Sequence, residues 1–223
     1  RRSLLEEYDP EEKEVAAENT GIGKVVANKG GLACKIKLRG TTLCFVSCHL
    51  QAHAGAAHLD RRNKSCAEIL QGARLGPRRR LDLDAQFHHV FVFGDMNYRI
   101  DFGMSFEEQQ CHVLRLIKHG DWEALLRGDE LTKELLAQRL LVGFTAAVPA
   151  FPPTFKIMRG CPGEYNEKRI PSWTDRVLYK SLPGASANLE MLEFASCPEV
   201  LTSDHTPVRA AFSVALSGEK QDR

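Results

Sequence analysis

Two hydrophobic rhythms divide the chain. In residues 32–48, LACKIKLRGTTLCFVSC, apolar and polar positions alternate through LACKIKL, a turn follows at Arg39-Gly40, and TTLCFVSC is a second β-rich run, the pattern of a hairpin. HHVFVFGD (88–95) is an almost unbroken apolar run and predicts a buried strand. DRVLYK (175–180), LEMLEFASC (189–197) and TPVRAAFSVAL (206–216) predict further strands. In the middle the period changes. Val113, Leu114, Leu116, Ile117, Leu125, Leu126, Leu135, Leu136 and Leu140 recur at helical spacing, so residues 105–141 predict two or three helices. The stretch from His49 to Arg74 is helical in composition after its first few residues, and EEKEVAAEN (11–19) is charged and helix-compatible.

Strand-rich ends around a helical middle, with no regular βαβ alternation, predict an α+β fold of two packed, mainly antiparallel sheets with helices outside. At 223 residues and 43% apolar side chains there is material for one sizeable core, so a single domain spanning 1–223 is expected. Thirty basic and 29 acidic side chains leave a net charge of +1, which gives no global field toward nucleic acid or anionic membrane. Anion binding must be local. Seven cysteines, an odd number without a Cys-x-x-Cys pair, predict reduced thiols in a cytoplasmic protein rather than a disulfide frame or a zinc site. No apolar run is long enough to span a bilayer. The chain opens RRSLLEEYDPEEKEV without an initiator Met, as expected of a domain incomplete at its N-terminus.

Four β-like runs carry ionisable and amide groups at one end: FVSCHLQAH (45–53), FVFGDMNYR (91–99), PSWTDRVLY (171–179) and LTSDHTPV (201–208). Each has an ordinary explanation alone. Gly94-Asp95-x-Asn97 is good turn chemistry, and His49 suits a hydrogen-bonded core. Together they point to one site, because strand ends on one rim of a sheet converge. Burying an unpaired Asp or His there costs on the order of several kcal/mol unless a partner satisfies it. Arg78-Arg79-Arg80 reads as a solvated basic loop.

The motifs GIGKVVANKGG, CHLQAH with RRN downstream, GDMNYRI, FPPTFK, PSWTDRVL and SDHTPV resemble, in order, those of the inositol polyphosphate 5-phosphatases. That family belongs to the endonuclease/exonuclease/phosphatase superfamily, and the resemblance runs from about residue 20 to 212. It implies a four-layer, DNase I-like α/β sandwich and Mg²⁺-dependent hydrolysis of the 5-phosphate of phosphoinositides or soluble inositol phosphates. It allows transient contact with the cytosolic face of a membrane, and no nucleic acid is expected. A phosphate monoester repels nucleophiles, so cations, donors and a base for water are the residue types this chemistry needs.

By the resemblance, Asp95 orients and deprotonates water, and Asn97 holds a phosphate oxygen or metal-bound water. Protonated His205 stabilises developing charge, Asp175 keeps that imidazole oriented, and His49 is a further phosphate donor. Asp204 lies near the metal. Lys156, Tyr165, Lys168 and Arg169 resemble the pocket for a neighbouring 4-phosphate, although Tyr165 stands closer to Trp173 than the family's spacing. Lys29, His53 and Arg176 also match family positions and are expected to contact substrate, while Tyr98 and Arg99 buttress the loop. The family's N-terminal metal-binding Glu has no match: Glu6, Glu7, Glu11 and Glu12 sit in a charged stretch with no apolar strand before them. Two rival readings are an endonuclease on the same scaffold and a truncated, inert binding module.

Overall fold

The computed structural model describes residues 13–20, 28–161 and 163–217. Its elements are β1 (Glu14–Asn19), β2 (Gly30–Leu38), β3 (Thr41–His49), α1 (Ala56–Gly72), β4 (His89–Asp95), α2 (Phe106–His119), α3 (Trp122–Leu126), α4 (Glu130–Leu136), β5 (Thr145–Ala146), β6 (Asp175–Ser181), β7 (Leu189–Ser196) and β8 (Val208–Val214). A six-stranded sheet runs β1-β2-β3-β4-β6-β5, and β7 pairs with β8 in a second sheet. The β3–β4 pair is parallel and every other named pairing is antiparallel. That exception follows from α1, the crossover that a parallel neighbour requires.

α1 buries Cys66, Ile69 and Leu70 in the same core as Ala33, Cys44, Val46, Val92 and Leu178 of the sheet. On the opposite face Phe45, Phe91 and Tyr179 stand in register across β3, β4 and β6. Phe212 of β8 closes over them, its ring 4.9 Å from Phe91 and 5.1 Å from Tyr179, both edge-on. The sheet-on-sheet layer with outer helices is therefore as expected. α2 begins on a full capping box, with Ser105 and Glu108 satisfying each other's backbone donors, and ends on left-handed Gly120. It packs Val113 and Leu116 with Ile100, Leu125, Phe151 and Trp173 in a second cluster beside the site.

One expectation is corrected. The described part of residues 11–19 is strand β1 and not a helix. Its hydrogen bonds go to β2, and its Glu14 carboxylate takes both Lys35 and the Gly76 N–H. A six-residue charged segment has weak helical preference of its own, and the open sheet edge decides its state. All seven cysteines are unpaired thiols, and no helix among the described residues is long and apolar enough to cross a membrane.

Candidate active site

Strand register builds the centre of the site. His49 is paired with Asp95 across β3 and β4, and Asp95 with Asp175 across β4 and β6, so three ionisable residues form one row at the sheet's rim. Gly94 makes the row close: at φ 127° a Cβ there would meet the Cys48 carbonyl oxygen at 2.2 Å. Beyond the strand the Met96 N–H donates to the Thr174 carbonyl at 2.8 Å, and Asn97 turns the chain at φ 58°, a region asparagine tolerates well.

The turn after Asp95 is clamped from every side. The Asn97 N–H donates to Asp95 Oδ1 and its Nδ2 to the Leu50 carbonyl, both at 3.1 Å. Arg99 donates to the Asn97 side-chain oxygen and, through Nε at 3.0 Å, to its carbonyl. Asn97 is thus 3% exposed, with both ends of its amide engaged by protein. Glu130 Oε2 accepts from the Arg99 N–H at 2.8 Å and from Arg62 at 2.6 Å, while the Tyr98 hydroxyl donates to Asn63 at 2.8 Å. The RRN segment of α1 therefore supports this turn from beneath.

On the other side of Asp95 stands a histidine–carboxylate pair. His205 Nδ1 is 2.9 Å from Asp175 Oδ2, which also accepts from the Thr154 and Thr174 hydroxyls at 2.7 and 2.9 Å. Burial alone pushes the imidazole pKa down. The hydrogen bond to Asp175 and the charges of Asp175, Asp95 and Asp204 outweigh it and raise that pKa above its ordinary value. Burial and the Asp175 charge raise Asp95, against the pull of His205, His49 and Arg99.

His49 is the opposite kind of histidine. Its Nε2 is 3.2 Å from Asp95 Oδ2 and lies against Lys29 Nζ. Burial lowers its pKa, Asp95 opposes this and Lys29 reinforces it, so the neutral ring is favoured. Lys29 is lowered in turn by burial. The two histidines are thus shifted in opposite directions, His205 toward the protonated form and His49 toward the neutral one, a division suited to acid–base work.

The remaining expected residues divide. Asp204 is drawn to Lys156 at 3.1 Å and Arg159 at 3.7 Å, and is not in the group that could share one metal among the described residues. Lys168 and Arg169 are exposed on the loop before Trp173. The Tyr165 hydroxyl is turned inward and donates to the Pro153 carbonyl at 2.7 Å. His53 sits at φ 77°, its ring 5.4 Å from that of His58 and its carbonyl taken by Arg62. Arg176 is a correction: it is 2% exposed and donates to both oxygens of buried Asp129 at 2.9 and 2.8 Å. Neighbours on a strand point to opposite faces, so Asp175 at the rim sends Arg176 into the interior, away from any substrate. Glu6, Glu7, Glu11 and Glu12 lie outside the described residues. Sequence reasoning assigned no role to Thr154 and Thr174, although they lie inside FPPTFK and PSWTDRVL, or to Arg159; packing decides which carboxylates they meet.

One ligand atom each from Asp95, Asp175 and His205 lies within 4.8 Å of the others. A hard divalent cation takes one or two carboxylates and completes its shell with water and substrate oxygens. Asp95 and Asp175 fit that description. The nearer His205 nitrogen is occupied by Asp175, which leaves the ring as a proton holder.

Residues 6–211 match the model of the endonuclease/exonuclease/phosphatase family 2. Phosphatidylinositol 3,4,5-trisphosphate 5-phosphatase 2 of Mus musculus is 33% identical over 211 residues, 90% of this chain and 16% of that protein. The inositol polyphosphate 5-phosphatase domain of SPsynaptojanin, solved with inositol (1,4)-bisphosphate and calcium, superposes with a TM-score of 0.76 at 31% identity. It covers 96% of this chain, and the chain spans 58% of it. Cimex nitrophorin shares the fold at 22% identity, with a TM-score of 0.70 over 92% of this chain and 65% of its own. With nearly its whole length matched, the chain belongs to the endonuclease/exonuclease/phosphatase family 2, and within it resembles inositol polyphosphate 5-phosphatases.

Proposed function

We propose that this chain is a Mg²⁺-dependent phosphomonoesterase that removes the 5-phosphate from phosphoinositides or soluble inositol polyphosphates by direct attack of water. The observation that carries this reading is the His49–Asp95–Asp175 row with His205 paired to Asp175 at 2.9 Å. It sets a base, a neutral imidazole and a cationic donor around one point. The ligand of the SPsynaptojanin domain supports the choice of position: inositol (1,4)-bisphosphate has no phosphate at carbon 5, as the product of such a reaction would not.

Asp95 takes a proton from water as its oxygen bonds to phosphorus. The bond from phosphorus to the inositol 5-oxygen breaks, and that oxygen is protonated from solvent. His205, fixed through Nδ1, keeps its second N–H for a phosphate oxygen whose charge grows in the transition state. Asp95 and Asp175 would hold Mg²⁺, which when bound would neutralise phosphate charge. Lys156, beside Asp204 at the site's edge, is a cation for a neighbouring 4-phosphate.

Two measurements test this. Phosphate release from a panel of soluble and lipid inositol phosphates is expected with Mg²⁺ and lost with EDTA; no release, with cleavage of plasmid or abasic DNA instead, overturns the reading in favour of a nuclease. Lys156→Ala is expected to lower kcat/KM roughly tenfold to a hundredfold more on substrates with a 4-phosphate than on those without, the size of one charged hydrogen bond. Equal losses on both count against the assignment.

A further inference from the structure

The two halves of the site meet on one aromatic ring. Phe155 is bridged antiparallel to Ser172 on one side and to His205 on the other. Its N–H donates to the Ser172 carbonyl at 3.1 Å and its carbonyl accepts the Ser172 N–H at 2.8 Å. The ring is 4.6 Å from the His205 imidazole, 4.7 Å from the Arg99 guanidinium carbon and 5.9 Å from Lys156 Nζ. Arg99 in turn holds both oxygens of Asn97. A planar guanidinium on an aromatic face is favoured by the ring's quadrupole and keeps its forked donors aimed.

We propose that Phe155 is a positioning residue: its ring fixes Arg99, and through it the Asn97 turn, relative to His205. The side that directs water and the side that stabilises phosphate then keep one spacing. A small displacement of either half is costly in rate, because attack needs near-contact geometry. An aliphatic side chain of similar size fills the space without holding the cation.

The kinetic part of the test rests on the phosphatase reading; the spectroscopic part does not. Phe155→Leu, with its fold checked by circular dichroism, is expected to lower kcat on inositol 1,4,5-trisphosphate roughly tenfold with KM nearly unchanged, and Phe155→Tyr to restore it. Combined with Arg99→Lys, the Phe155→Leu loss is expected to be far less than multiplicative. In NMR spectra of the whole chain, the Arg99 Nε–H and His205 ring resonances should move in Phe155→Leu and stay in Phe155→Tyr. Full kcat in Phe155→Leu, multiplicative losses with Arg99→Lys, or unmoved resonances overturn the proposal. If the wild type releases no phosphate, the phosphatase reading falls and the resonances alone decide. If Phe155→Leu does not fold, the wild-type Arg99 side-chain protons decide: an upfield ring shift supports the stack and its absence overturns it.

Discussion

Asp95→Asn is expected to lower kcat for phosphate release by about 10²- to 10⁴-fold while KM changes little, the range for loss of a positioned general base. The amide keeps the side chain's shape and the Asn97 N–H contact, so the Asn97 turn survives. What disappears is the basicity that burial and the neighbouring Asp175 charge raise above the ordinary carboxylate range. A steady-state comparison, with folding checked by circular dichroism, measures it. Near wild-type kcat would remove Asp95 from the chemistry.

His205→Gln is expected to cost about 10²- to 10³-fold in kcat, as for loss of a donor aimed at transition-state charge, and to change the pH profile. His205 acts in its charged form, and its pKa is raised by Asp175, Asp95 and Asp204 against the effect of burial. Activity must therefore persist above the ordinary imidazole range and fall only as pH passes the raised value. Asp95 acts deprotonated; burial and the Asp175 charge raise its carboxyl in the metal-free chain, and Mg²⁺ on the same carboxylates would oppose that rise. The wild-type kcat/KM profile should keep its alkaline limb above the ordinary imidazole range, and His205→Gln should abolish that limb. An unchanged alkaline limb in that variant assigns it to another group.

Much of this site could be read from sequence because its parts are strand ends. GDMN closes an apolar run, TDRV opens one, and strands of one sheet share a rim, so convergence of Asp95, Asp175 and His49 follows from pattern alone. Long-range partners are different. Nothing local says that Glu130 in α4 supports the Arg99 backbone, or that Thr154 donates to Asp175 from 21 positions away. Those pairings are set by packing.

Two misjudged segments show where the signal lay. The inward turn of Arg176 was present in the alternation of β6, where Asp175 at the rim obliges its neighbour to face the interior and find buried Asp129. The resemblance drew attention to residue type, and alternation decides direction. In β1, Glu14 reads as a helical surface acid until β2 offers Lys35 beside it. A charged edge strand is poorly encoded because its partner, and not its own propensity, supplies its hydrogen bonds.

The central claim is best tested by where phosphate leaves. Inositol 1,4,5-trisphosphate incubated with the chain and Mg²⁺, followed by ³¹P NMR, should lose the 5-phosphate resonance alone, with inorganic phosphate growing in step and the 1- and 4-phosphates persisting. Asp95→Asn should leave all three in place. Loss from another position, or an unchanged spectrum under conditions where soluble and lipid substrates are equally untouched, would contradict the account.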